Sequence, residues 1–425
     1  MRTAVALLVL ALAATGAGAE SYRFTLEEAV AYGLANSTAI RAKELSAAGA
    51  QLDLAAARAA YYPSLSAGAS WRHSVDAPGL GSPRDVAGVS ADLSQTVASF
   101  GKIGAGVRLA EQALNQATMD LAEEKRQTVL LIERAFYGYL LALEVQRINQ
   151  ETLLRRQDAL EVARARFRAG LAADFDVLRA ESDLESFRAT VISSDNGVRT
   201  ALLNVKNVLG IKEEEFRFEL VGALEPMRVS IDRKSLLDQA VAAKYDLRSL
   251  RLGMDMLKGQ EALSRSLNRP TLVGWARYEL STPDVYSFDP DFLATWRDGL
   301  SVGVNLSVPI SVFFPWSEEK AGLRKAALDL EGMGLQLQSA ESGVRLAVES
   351  TILKIDEQQA KIASGQKAVE LAQRLYDSAQ RQYEGGYISS IDLKDAALSL
   401  NAARLAYAQA IFGYNQSVLD LMDAV

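Results

Sequence analysis

Apolar and small side chains recur at spacings of three and four from Phe100 to Ala169, with Ala110, Leu114, Ala117 and Leu121 followed by Ile132, Ala135, Tyr139 and Leu143. That period marks the seam of a helix packed lengthwise against partners. The stretch holds no proline over 70 residues and ends at Gly170. As one helix it would be roughly 105 Å long at about 1.5 Å per residue, whereas helices in globular domains average about 11–12 residues. A second stretch of the same kind runs from Trp316 to Glu384 and ends at Gly385-Gly386. Two such helices predict a long bundle, hollow or solid, rather than an enzyme.

Four short segments follow period two instead. In 300–310, Leu300, Val302, Val304, Leu306, Val308 and Ile310 alternate with Ser301, Gly303, Asn305, Ser307 and Pro309. In 88–96, Val89, Ala91 and Leu93 alternate with Ser90, Asp92 and Ser94, and in 64–72 Leu65, Ala67, Ala69 and Trp71 alternate with small polar residues. In 271–280, Leu272, Gly274, Ala276, Tyr278 and Leu280 share a face opposite Arg277 and Glu279. About ten residues of alternation is the length of a membrane-spanning strand, although a half-buried sheet in water gives the same pattern. Trp71, Trp275 and Tyr278 are candidates for interfacial girdles. The strands are expected near 64–76, 86–98, 270–281 and 299–311, as two hairpins with loops at about 76–87 and 281–298 rich in Pro, Gly, Asp and Ser.

Proline placement bounds the helices, since a proline costs about 3 kcal/mol inside one. None lies between Arg84 and Glu225, or from Trp316 to the end. Helices are predicted near 25–35, 38–61, 100–169, 173–210, 233–244, 246–268, 316–384 and 389–423. The chain also repeats itself. At one offset of 216 residues, Phe167 corresponds to Tyr383, Gly170 to Gly386, Asp176 to Asp392, Ala180 to Ala396 and Arg188 to Arg404. A first structural repeat is therefore assigned to 20–210 and a second to 233–425, each one supersecondary unit used twice. The segment 211–232, with Glu213-Glu214-Glu215 and Pro226, is a separate connecting strand or loop.

Composition narrows the class. Arg2, the apolar run Ala4–Ala14 and Ala17-Gly18-Ala19 read as a secretory signal peptide over 1–19, cleaved after Ala19; an uncleaved anchor is the alternative. Beyond it no run of about 20 apolar residues predicts a transmembrane helix, so contact with a membrane would have to use strands. There is no cysteine, which excludes disulfides and thiolate metal sites. Without Arg2 the chain carries 45 basic and 53 acidic side chains, net −8, and its pI is about 5.2. A basic face for nucleic acid is not expected.

An open sheet edge is not tolerated in hydrocarbon, and the smallest membrane barrels have about eight strands. Four strands per chain therefore predict a shared barrel. Two copies would fill the interior with side chains, and three would give twelve strands around a lumen. The Ser, Asp and Asn residues of 88–96 and 300–310 suit a wet interior, which favours the trimer, with helices of the same copies forming one coaxial tube.

At this point the residues resemble the TolC-type outer-membrane efflux family. Phe24-Thr25-Leu26-Glu27-Glu28-Ala29-Val30 is similar to the family's opening helix, and Asp53 to Leu65, through Tyr62-Pro63-Ser64, to its approach to the first strand. The helix-hairpin tips, Arg166-Phe167-Arg168-Ala169-Gly170-Leu171 to Asp176-Val177-Leu178 and Tyr383-Glu384-Gly385-Gly386 to Ile391-Asp392-Leu393-Lys394-Asp395-Ala396, resemble its most recognisable motifs. The resemblance implies a mainly α protein with a small β part: a homotrimeric twelve-stranded barrel in outer-membrane lipid, continued by an α-helical tunnel across the periplasm. It further implies docking of a periplasmic adaptor protein and an inner-membrane pump, for efflux or type I secretion, with no cofactor and no catalysis.

At the tips, Gly170, Gly385 and Gly386 are expected to let the helices end and the chain reverse. Asp176 and Asp392 fall in the first turn of the returning helices, and Asp395 lies on the same face as Asp392. Acidic residues there complement the helix dipole, which is the plain reading of Asp176. For Asp392 and Asp395 the resemblance implies two stacked carboxylate rings at a periplasmic entrance, attracting cations. It also matches Tyr383 and Asp176 to links that hold the entrance shut. The position where such members carry an arginine is Ile388 here, so the closed state is expected to rest on packing of Tyr383 and Tyr387 instead.

Signals for catalysis are few. His73, the only histidine, sits beside a predicted strand as a surface residue, and Gly101-Lys102-Ile103-Gly104-Ala105-Gly106 opens a long helix rather than cradling phosphate. The competing readings are a periplasmic adaptor with a coiled-coil hairpin, which would need a further domain between its helices, and a structural coiled coil, which would not need strands.

Overall fold

The computed structural model describes residues 22–73, 85–211, 218–282, 296–310 and 314–425. The signal segment 1–19, most of both strand-connecting loops and the Glu213-Glu214-Glu215 run lie outside the described residues. In chain order the elements are β1 (Tyr22–Phe24), α1 (Leu26–Asn36), α2 (Thr38–Ala59), β2 (Ser64–His73), β3 (Asp85–Ala98), α3 (Lys102–Arg168) and α4 (Asp174–Leu209). They continue with β4 (Phe218–Leu220), α5 (Arg233–Ala243), α6 (Tyr245–Leu267), β5 (Thr271–Thr282), β6 (Arg297–Ser307), α7 (Glu318–Glu384) and α8 (Ser390–Ala424). The two long helices α3 and α7 have 67 residues each. No helix among the described residues is long and apolar enough to cross a membrane.

The chain divides into two compact units, and each draws on both sequence repeats. One comprises residues up to Arg41, Glu123–Lys244 and Gly343–Val425; the other comprises Ala42–Ala122 and Tyr245–Ser342.

The second unit contains an antiparallel sheet in the order β2-β3-β5-β6. Its register places Ser66, Asp92, Arg277 and Ser301 in one rung, with Ala67, Ala91, Tyr278 and Leu300 in a neighbouring one. One face is therefore polar, where Asp92 and Arg277 form an ion pair across β3 and β5. The other is apolar and exposed in the single chain, with Leu65 at 76% and Val302 at 73%. The expected girdle role of Trp275 is corrected by this register. Its indole lies over Gly303, where an added Cβ would come within 2.7 Å of the ring, on the face of Arg277 and Ser301 rather than that of Tyr278.

Other differences have local causes. β6 stops at Ser307 although the alternation runs on to Ile310, because Pro309 has no N–H to give the ladder. β3 begins at Asp85, inside the expected loop, and Asp85 Oδ1 meets His73 Nδ1 at 2.9 Å, which fastens the end of β2. α3 starts at Lys102 rather than Phe100. Phe100 and Gly101 both have positive φ, and Arg269 Nη1 donates to the Phe100 carbonyl at 2.9 Å. Among the helices of this unit, Gln116 donates to Asp120 and Ser249, and the Tyr245 hydroxyl donates to Asp120 at 2.6 Å.

The first unit carries two apolar clusters. Ala29, Ile132, Phe136, Tyr139, Val205, Leu209 and Leu220 form one, so the seam read at Ile132, Ala135 and Tyr139 is a buried face. Beside it β1 pairs in parallel with β4, Phe24 opposite Leu220; the first of these strands was not anticipated. In the other cluster Ala372, Tyr376, Ala379 and Tyr383, at spacings of four, three and four, meet Leu393, Ala396 and Leu400.

Candidate functional site: the two helix-hairpin turns

The two turns between long helices lie in the first unit and are built alike. Gly170 and Gly386 have φ of +74° and +79°. After Gly170, the Leu171 N–H reaches back to the Arg166 carbonyl at 2.9 Å; after Gly386, the Tyr387 N–H reaches the Gln382 carbonyl at 2.9 Å. These are paired glycine-based helix stops. Gly385 differs: its φ is not in the left-handed region, and a Cβ there would come within 2.7 Å of the Tyr387 ring.

The returning helices are capped by the aspartates. Asp176 Oδ2 accepts from the Ala173 N–H at 3.3 Å. Asp392 Oδ2 accepts from the Ser389 hydroxyl at 2.7 Å and the Ser389 N–H at 3.0 Å, while the Asp392 N–H donates to the Ser389 hydroxyl. The Ser389 hydroxyl, and then its N–H, hold the Asp392 carboxyl below its ordinary pKa. Asp392 and Asp395 are both exposed, one helical turn apart.

The turns also meet each other. The Ser390 hydroxyl lies 3.5 Å from Asp176 Oδ1. Arg166 Nη1 donates to the Tyr383 carbonyl at 2.6 Å, and its guanidinium covers the Tyr383 ring at 4.8 Å. Burial raises the Tyr383 pKa, Arg166 opposes that shift, and Asp176 adds to it. Ile388 packs on the cluster around Tyr383, whereas Tyr387 is 84% exposed. Of the two tyrosines expected to pack, only Tyr383 does so within one chain. No hydrogen bond joins Tyr383 to Asp176 among the described residues.

Two helical turns beyond Asp176 on α4, Asp183 accepts from Arg156 Nη1 at 2.7 Å and from Lys394. Arg156 lies over Phe187 at 4.3 Å and Arg155 over Tyr376 at 5.3 Å. Arg404 bonds Glu151 at 2.6 Å and Gln373 at 2.7 Å. The sequence reading missed Arg166, Arg156 and Asp183; Arg166 and Lys394 lay inside the quoted motifs without a signal of direction. Among the described residues no group of three or more His, Cys, Asp or Glu side chains could hold a metal ion.

The profile of the family described as outer membrane efflux protein matches residues 32–211 and 236–425. The chain is 26% identical over 294 residues to protein CyaE of Bordetella pertussis, covering 67% of this chain and 60% of that protein. It is 22% identical over 383 residues to outer membrane protein TolC of Salmonella enteritidis, covering 87% of this chain and 75% of that one. The CmeC outer membrane channel of Campylobacter jejuni superimposes with a TM-score of 0.79 at 16% identity, over 94% of this chain and 85% of that one, a likeness of fold. The chain belongs to the outer membrane efflux protein family. It is thus an outer-membrane efflux channel protein, and the adaptor and structural coiled-coil readings fall away. The family is one of channels rather than of enzymes.

Proposed function

We propose that the chain is one of three identical subunits of an exit duct, each supplying β2, β3, β5 and β6 to a twelve-stranded barrel in outer-membrane lipid. The observation that carries this is the sheet itself: β2 and β6 are unpaired edges in the single chain, and the face bearing Leu65, Val302 and Val304 is exposed. Unpaired backbone in hydrocarbon costs several kcal/mol per group, so the edges need sister copies. In this reading the two sequence repeats contribute one hairpin each, and the rung holding Asp92 and Arg277 faces the lumen.

A periplasmic adaptor and an inner-membrane pump complete the path, and the duct conducts passively without cofactor or catalysis. Asp392 and Asp395 line its periplasmic entrance, while Asp176, Tyr383 and the turns at Gly170, Gly385 and Gly386 set how far that entrance opens. Family membership and the exposure of both carboxylates support this assignment. Because the chain has no cysteine, single cysteines introduced on β2 and β6 offer a clean test. Oxidation in outer membranes should link β2 of one copy to β6 of the next into a three-chain species that conducts in planar bilayers. A product confined to one chain, with no conductance, would sink the reading.

A further inference from the structure

A cleft among α3, α4, α7 and α8, wholly within the first unit, shelters about 70 Å³ behind an open mouth. Tyr376, Tyr383 and Leu393 give it an apolar wall. Arg155, which lies over the Tyr376 ring, joins Arg156, Arg179 and Lys394 in presenting four cationic groups, with the carboxylate of Asp183 among them.

That carboxylate is already engaged by Arg156 and Lys394. Arg155 reaches Glu151 only at 3.6 Å, and Glu151 is shared with Arg147 at 2.5 Å and Arg404 at 2.6 Å. Arg179 makes no ion pair or hydrogen bond among the described residues, and the buried Nε of Arg156 has no partner there. Burial, and after it Arg404, lower the Arg155 pKa, while Tyr376, Glu151 and Asp377 oppose the shift. A buried N–H without an acceptor is destabilising. A ligand supplying oxygen acceptors and negative charge would relieve all three arginines together.

We propose that this cleft binds a small organic anion, with its carboxylate or phosphate head on Arg155, Arg156 and Arg179 and its apolar body against Tyr376, Tyr383 and Leu393. Guanidinium forks match oxyanions in geometry as well as charge. The apolar wall favours an organic anion over a bare mineral one. The site is chemically opposite to Asp392 and Asp395 and does not depend on the channel reading. A head group held by α3 and α4, with a body on α7 and α8, would tie the four helices of one chain together beside their turns.

The test is calorimetric titration of the full chain in detergent, at fixed ionic strength, with phenyl phosphate, inorganic phosphate and benzyltrimethylammonium. Phenyl phosphate should bind saturably, inorganic phosphate more weakly and the ammonium ion not at all. Arg179→Ala should weaken phenyl phosphate about tenfold, while Arg345→Ala, at an exposed position, should leave it unchanged. Since Arg179 makes no ion pair or hydrogen bond among the described residues, its loss should disturb folding little. As a second readout on the unaltered protein, phenyl phosphate should slow amide exchange across 152–159 and 390–397. Absence of saturable binding, equal affinity in Arg179→Ala, or unaltered exchange in those segments would each overturn the proposal.

Discussion

Arg166 holds Tyr383 twice: its guanidinium lies over the ring at 4.8 Å, and its Nη1 donates to the Tyr383 carbonyl at 2.6 Å. One side chain from the last turn of α3 thus fixes both the ring and the main chain of the last turn of α7. A planar guanidinium can stack and donate at once, whereas an ammonium offers a compact point charge. Duplication does not supply this contact twice, because the residue 216 positions on from Arg166 is Gln382.

Arg166→Ala should therefore loosen the second turn by about 1–3 kcal/mol, the sum of a modest cation–π term and a charge-assisted hydrogen bond. Arg166→Lys should recover only part of this, and Tyr383→Phe should be nearly neutral because the ring and carbonyl are retained. Amide exchange across 383–388 measures the local loss. In bilayers, Arg166→Ala should also raise the fraction of time the channel conducts. Equal exchange in all three variants would show that the contact does not hold the turn.

The adjacent glycines at the second turn should behave differently. Gly386→Ala forces a Cβ into left-handed backbone and should cost about 1–2 kcal/mol. Gly385→Ala meets only the ring of Tyr387, which is 84% exposed and free to swing away, so its cost should be smaller. Thermal unfolding of the two variants decides this, and the order Gly386→Ala below Gly385→Ala is the expected one.

What the sequence disclosed followed from period and length. A 67-residue helix repeats its apolar spacing many times, and the four alternating strands are each long enough to show period two. β1 and β4 have three residues each and pair across nearly two hundred positions, so no local pattern marks them. Trp275 was misplaced because its aromatic character outweighed its position in the alternation, which already set it with Arg277. Arg166 was invisible for another reason. Arg164, Arg166 and Arg168 stand close together at the end of α3, and only the packing of α7 selects which one meets Tyr383. Asp183 likewise gained meaning only from Arg156 and Lys394, which lie on two other helices.

Asn415 shows a second contact of that non-local kind. It is fully buried on α8, accepts from the Met227 N–H at 2.9 Å and donates to the Glu225 carbonyl at 2.8 Å. These bonds dock the 221–232 segment, which forms no helix and only the end of the β1–β4 pairing. Asn415→Ala leaves a donor and an acceptor unsatisfied and should cost about 2–4 kcal/mol. Asn415→Asp keeps the acceptor but faces the Glu225 carbonyl with a charge, so it should not rescue. Limited proteolysis should cut near 221–232 in both variants faster than in the parent chain; equal rates would mean that the segment is held by other contacts.

Asp392 and Asp395 look interchangeable in sequence, yet the structure gives them separate duties that selectivity measurements can part. Asp392 closes a capping box with Ser389, so replacing it alters both charge and helix end. Asp395 is exposed and makes no hydrogen bond or ion pair among the described residues, so Asp395→Asn changes charge alone. If both carboxylates face the entrance, Asp395→Asn should lower the cation-to-anion permeability ratio in planar bilayers without altering amide exchange near Ser389. Asp392→Asn should lower the ratio and also speed that exchange. The cap has its own pH signature. Its folded pKa is depressed by the Ser389 bonds, so the stabilisation is present above the unfolded aspartate value and disappears as pH falls through the lower, folded one. The exchange difference between the parent chain and Asp392→Asn should accordingly be full at neutral pH and vanish in strong acid. Selectivity that is unchanged in Asp395→Asn would remove that carboxylate from the conducting path, whatever becomes of the cap.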